Sequence, residues 1–247
     1  MLEARNLSKR YDGASAPALD RLNLTVEPGE VFCLLGPNGA GKTTTVNLFL
    51  GFLEPTDGEA LVCGIDSAQD PLGARAKLAY IPETVTLYGA LTGLENLAYF
   101  TEVSGAPTPS SELPPLLLAA GLPEEAATRP VRFYSKGMRQ KVGVAIALAR
   151  RAQALVLDEP TSGLDPLAAN EFAALIEKLR REGMAVLMVT HDLFLAKQCG
   201  ARIGIMAGGK LATVFGADDV DHLGLERAYL DLFRTGEIER RVAGEAA

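Results

Sequence analysis

The sequence is short of three things: cysteine, basic charge and long apolar runs. Cys33, Cys63 and Cys199 are scattered through 247 residues with no CxxC or Cys/His spacing. A disulfide framework or thiolate metal site needs paired donors, so these thiols read as packing residues in a reducing compartment. Lys and Arg number 24 against 31 Asp and Glu, a net charge of -7. No overall positive field draws nucleic acid or anionic lipid, and no nucleic-acid partner is expected. The N-terminus MLEARNLSKRYDG has no apolar core of a secretion signal. The run AIALARRAQALVL is cut by Arg150 and Arg151, well short of the ~20 apolar residues that span a bilayer. The expectation is a cytoplasmic chain with no membrane span of its own. An internal repeat is also missing.

What is present is a hydrophobic content of 48%, ample for a core. Short apolar β-branched runs alternate with helical periodicity, the pattern of an α/β domain with a mostly parallel sheet. Val31 to Leu35, Ala154 to Leu157 and Ala185 to Thr190 read as buried strands. Leu87 to Ala149 is almost free of strand pattern; Thr92 with Glu95 makes a capping box, and APTPSSELPP separates two helices. This region reads as a helical insertion. Asp165 and Pro166 supply the N-cap and first residue of a helix whose Phe172, Leu175, Ile176 and Leu179 share one face, and Gly183 ends it. IGIMAGGKLATVFG reads as a hairpin turning at Gly208-Gly209.

Two stretches carry chemistry. LLGPNGAGKTT places Gly36, Gly39 and Gly41 directly after a buried strand and ahead of a helix. Glycines there let successive N–H groups point into one concavity, to which the helix start adds its positive dipole end. The concavity suits a polyphosphate, with Lys42 reaching the terminal phosphates and Thr43 offering a hydroxyl to Mg²⁺. The second stretch, ALVLDEP, ends a buried strand in two acids. Asp158 is placed to hold Mg²⁺ through water, and Glu159 to act as general base on a water attacking the γ-phosphate. The plainer reading is that both acids cap a turn before Pro160.

Upstream, FYSKGMRQKVGVAIALAR sets Ser135 and Gly137 at the start of a long amphipathic helix. With this the chain, from Leu2 to about Leu232, resembles the ATP-binding cassette (ABC) family, the ATPase subunits of ABC transporters. GPNGAGKTT, which contains Pro37, Asn38, Ala40 and Thr44 besides the glycines and Lys42, resembles the Walker A loop. YSKGMRQK resembles the signature loop, LVLDEP the Walker B strand, SGLD with Asp165 the D-loop, and VTHD the switch carrying His191. Tyr11 matches the aromatic that stacks on adenine, a position at which a tyrosine also serves in packing.

The resemblance implies a P-loop NTPase (RecA-like) core with a mostly parallel sheet, an N-terminal antiparallel β subdomain and an inserted α-helical subdomain at about 87–149. The ATPase domain would cover 1–232 and a short tail 233–247. It implies ATP and Mg²⁺ as cofactors and a head-to-tail homodimer or heterodimer in which each ATP lies between one Walker A loop and the other chain's signature. Ser135, Gly137 and Asp165 would meet the partner's side of that interface, and His191 would hydrogen-bond the γ-phosphate and orient Glu159. Separate membrane permease subunits would hold the chain at the inner face of the membrane. Three positions depart from the pattern: Lys136, Met138 and Glu83. Glu83 stands where the family has a metal-facing glutamine, so it is a candidate Mg²⁺ ligand; the other reading turns it to solvent or a neighbouring cation. YIPE, LYGALT and ENL resemble the subgroup serving ABC-2-type exporters, as does LERAYLDLF, which matches its short terminal helix. The reading from another class is a soluble ABC ATPase acting on DNA or ribosomes. A P-loop kinase or GTPase would lack the signature and His191.

Overall fold

The computed structural model describes the backbone of residues 1–242 and the side chains of residues 1–233. Within them, ten strands form two sheets. The smaller is antiparallel, in the order β2-β1-β4-β5, from β1 (Leu2–Lys9), β2 (Leu19–Val26), β4 (Asp57–Val62) and β5 (Ile65–Asp66). The larger has the order β10-β9-β3-β8-β7-β6. Its members are β3 (Val31–Leu35), β6 (Leu78–Ile81), β7 (Ala154–Asp158), β8 (Ala185–Thr190), β9 (Arg202–Ala207) and β10 (Lys210–Gly216). All neighbours pair in parallel except β9 and β10, the hairpin expected at Gly208-Gly209.

Alternation along the larger sheet explains why its inner strands β3, β7 and β8 are apolar almost throughout. Val31, Cys33 and Leu35 face one core with Ile81, Leu157 and Met188. Phe32 and Leu34 face the other, against the antiparallel sheet, with Val156, Leu187 and Met206. A parallel sheet covered on both faces has no wet side, so its strands cannot alternate with polar residues. Cys33 and Cys199 are buried and unpaired, and burial pushes the Cys199 thiol up to about 12. Both are packing residues.

Helices α1 (Lys42–Phe49) and α2 (Pro71–Lys77) precede the region read as an insertion. That region holds α3 (Gly93–Val103), α4 (Leu113–Ala119) and α5 (Lys136–Ala149). Thr92 and Glu95 form the reciprocal capping box at α3. Next come α6 (Pro166–Arg181), capped by Asp165, then α7 (Leu193–Cys199) and α8 (His222–Val242). Leu225, Tyr229 and Phe233, within the LERAYLDLF helix expected, recur at four-residue spacing and pack on the core, and α8 extends beyond that stretch at both ends. Of the tail read at 233–247, residues 243–247 lie outside the described residues. No described helix is long and apolar enough to cross a membrane.

Candidate functional site

Chain topology brings the chemistry to the carboxyl ends of β3, β7 and β8, neighbours in the sheet, where parallel α/β sheets place their ligands. After β3 the backbone turns through Gly39 at φ 81° and Gly41 at φ 107°. A Cβ on Gly41 would stand 2.6 Å from the Ala18 carbonyl oxygen, so this position tolerates no side chain. The turn leaves a cleft of about 210 Å³ lined by Ala18, Pro37, Asn38, Gly39, Gly41, Lys42, Thr43 and Thr44. Lys42 is 8% exposed and donates through Nζ to the carbonyls of Gly36 at 2.5 Å and Pro37 at 3.0 Å. Burial pushes its ammonium pKa down, while Glu159 and Asp158 pull it back up. The loop thus presents one partly desolvated cation at the mouth of α1. Tyr11 is 42% exposed and reaches the cleft through a 3.3 Å bond between its hydroxyl and Thr44 Oγ1.

At the end of β7, Asp158 is half-buried, and burial pushes its carboxyl up from the ordinary range. A 3.3 Å bond from the Tyr80 hydroxyl opposes that shift, whereas Glu159 and Glu83 add to it. The same contact and burial push Tyr80 up to about 12, so it stays a donor. Asp158 and Glu159 act on Lys42, and Glu83 adds its charge to Asp158, a field that a hard cation relieves. Among the described residues no three His, Cys, Asp or Glu side chains gather as a metal cage. The Asp158 carboxylate and Thr43 hydroxyl are hard oxygen donors of the kind Mg²⁺ takes one or two of, completing its shell with phosphate and water.

Glu159 sits at φ 47°, a left-handed conformation that costs a non-glycine residue on the order of 1–2 kcal/mol. Its amide donates to the Val189 carbonyl at 2.8 Å, fixing it to β8. The carboxylate is held from three sides: Thr190 Oγ1 donates at 3.1 Å, the His191 amide at 3.4 Å, and His191 Nδ1 lies 2.8 Å from Oε1. Its side chain keeps 18% exposure, enough for water to reach it.

The start of α5 lies elsewhere. Ser135 caps it by accepting from the Met138 amide at 3.2 Å, and neither Ser135 nor Gly137 lines the phosphate-sized cleft. A Cβ on Gly137 would meet only Leu164 and Ala168, at 3.7 and 3.8 Å. Internal packing therefore does not demand glycine there. Glu83 accepts from Ser162 Oγ at 2.8 Å and lies 3.6 Å from Lys136, and these two hold its carboxyl below the usual range. In this arrangement its charge faces a hydroxyl and a neighbouring cation, the second of the two readings open from sequence. Asp165 caps α6 through the Ala168 amide at 3.0 Å.

A family model described as ABC transporter matches residues 19–162. The chain belongs to the ABC transporter family. The probable multidrug ABC transporter ATP-binding protein YbhF of Escherichia coli is 37% identical over 89% of this ABC chain, which spans 38% of that relative's length. A fluoroquinolones export ATP-binding protein of Mycobacterium tuberculosis is 35% identical over 87% of the chain and 70% of the relative. Among solved structures, the ATP-binding cassette MJ0796, a dimer in a post-hydrolysis state bound to ADP and Pi, superposes with a TM-score of 0.76. It is 27% identical over 88% of this chain and 99% of the other.

Some residues of this ABC site escaped sequence reasoning. Thr190 adjoins His191, so its place at the end of β8 was a usable signal. Tyr80 gave none, because its bond to Asp158, 78 residues away, exists only once β6 pairs with β7. Gln140 is fully buried and donates to the Pro160 carbonyl, tying α5 to the loop after β7. His222 is exposed and stacks on Phe194 at 5.0 Å.

Proposed function

We propose that the chain is the ATP-hydrolysing subunit of an ABC exporter and works as a head-to-tail pair beneath separate membrane subunits. One observation carries the reading: Glu159, held by Thr190 and His191, stands at the strand ends with the Lys42 cleft, while the small residues at the start of α5 are absent from that cleft. A second chain would supply them. The triphosphate would lie along the amides of the loop after β3, with Lys42 on its terminal oxygens and Tyr11 beside the base. Glu159 would take a proton from water as its oxygen attacks the γ-phosphorus, and the bond to the β-phosphate oxygen breaks to leave ADP. His191 would keep the carboxylate aimed. Thr43 and Asp158, with Glu83 when it turns inward, would hold Mg²⁺, which when bound offsets charge on the phosphate oxygens. The partner's Ser135, Gly137 amide and Asp165 loop would close the site.

Export is favoured by the names of the relatives, one multidrug and one fluoroquinolone, and by the exporter-like YIPE and LYGALT runs. Neither name supports the alternative of action on DNA or ribosomes. The membrane subunits would hold the chain at the inner face of the cell membrane. The test is Glu159→Gln. It keeps shape and removes the proton acceptor, so hydrolysis should fall about 10²–10⁴-fold with ATP binding intact, and the ATP-bound pair should accumulate on a sizing column. Turnover near the parental rate would remove Glu159 from this role.

A further inference from the structure

Lys136 and Glu83, two of the departures from the family pattern, meet each other. Lys136 Nζ donates to the Ser162 carbonyl at 2.6 Å and lies 3.6 Å from Glu83 Oε1, and Ser162 Oγ donates to that same oxygen at 2.8 Å. Three segments distant in sequence are closed into a triangle: the loop after β6, the first residue of α5 and the loop between β7 and α6. Under the head-to-tail reading, on which this inference rests, all three would have to accommodate a second chain and its nucleotide.

We propose that the triangle is a latch that restrains ATP-driven pairing. Lys136 is the exchanged part: it serves its own Glu83 and Ser162 in the unpaired chain, and the triphosphate held by the partner in the pair. It cannot serve both at once. In the unpaired chain it has one carboxylate and one carbonyl; a triphosphate offers more charge and more acceptor oxygens. The side chains of Lys136 and Glu83 are 31% and 53% exposed, so water screens the ion pair and the latch is weak enough to open. When Lys136 leaves, Glu83 and Ser162 are released together. The loop leading to Asp165 and the loop bearing Glu83 then change partners in one event, and Glu83 becomes free to turn toward the metal side.

The experiment measures pairing of the full-length Glu159→Gln chain by light scattering across an ATP titration, with sodium as the only cation and a chelator present, so that metal contacts of Glu83 play no part. Adding Glu83→Gln removes the competing charge and should lower the ATP needed for half-maximal pairing about 3–10-fold. Lys136→Ala removes the exchanged group, so in that background Glu83→Gln should shift nothing. Equal shifts in both backgrounds would identify plain repulsion between Glu83 and phosphate and overturn the latch, as would no shift in either. A Glu159→Gln parent that never pairs would instead defeat the head-to-tail reading, and the latch with it. Amide hydrogen exchange without nucleotide gives an independent readout: residues 82–86 and 160–165 should exchange about 3–10-fold faster in Lys136→Ala and in Glu83→Gln. Unchanged exchange in both would contradict the triangle in the free chain.

Discussion

At Lys42 two demands conflict: the ammonium must be dry enough to bind phosphate strongly, yet a buried cation without acceptors is costly. The carbonyls of Gly36 and Pro37 resolve this by holding Nζ until phosphate oxygens replace or join them. Lys42→Ala should therefore weaken ATP binding about 10–100-fold by calorimetry, the loss of charge-assisted bonds worth about 1.5–3 kcal/mol. Unchanged affinity would move the phosphates elsewhere. Glu159→Gln, by contrast, should leave affinity alone and remove turnover. Thr190→Val should follow the Glu159 pattern more weakly, lowering the hydrolysis rate about 10-fold at unchanged ATP affinity, because it frees one side of the Glu159 carboxylate. Lys42, Asp158, Glu159 and His191 were legible in sequence because each follows an apolar run or glycine loop that marks its position. The strained φ of Glu159 and its Thr190 bond were not, since both arise only when β7 and β8 lie side by side.

Among the elements, α3 shows what local sequence can and cannot reveal. Its capping box is readable from Thr92 and Glu95 alone, because both partners lie within one turn. Asn96 is different. It is fully buried, accepts from the Tyr88 amide and donates to the carbonyls of Tyr88, Leu91 and Thr92, so it pins the whole turn before α3. Asn96→Ala would strand several buried backbone groups and should destabilise the chain by about 2–3 kcal/mol in urea unfolding. Thr92→Ala, at a more exposed cap, should cost about 1 kcal/mol. Equal losses would mean that the turn is held by the cap rather than by Asn96. β3, β7 and β8 were legible for the opposite reason, being buried on both faces, whereas the four-residue β6, strand order and the joining of α5 to the loop after β7 through Gln140 depend on contacts no local pattern encodes.

For the whole molecule, the proposed head-to-tail pair would have one chain hold halves of two different sites. The cleft after β3 has the cation, and Glu159 stands at the neighbouring strand ends on Thr190 and His191; the start of α5 has a glycine that its own packing does not require. Sequence motifs name both halves; their separation within one fold is what favours a second copy or a similar chain joining them. Two lesions separate the halves cleanly. Lys42→Ala disables the cleft, and Ser135→Arg blocks the start of α5 at the loss of a cap worth about 1 kcal/mol, so each variant must first be shown to be folded. Either variant alone should hydrolyse almost no ATP, since every site in its pairs carries one lesion. In an equal mixture half of the pairs are mixed, and each mixed pair concentrates both lesions in one site and leaves the other intact, so about a quarter of the parental ATPase rate should return. A mixture of folded, associating variants that stays as inactive as its components would contradict a site shared between two chains.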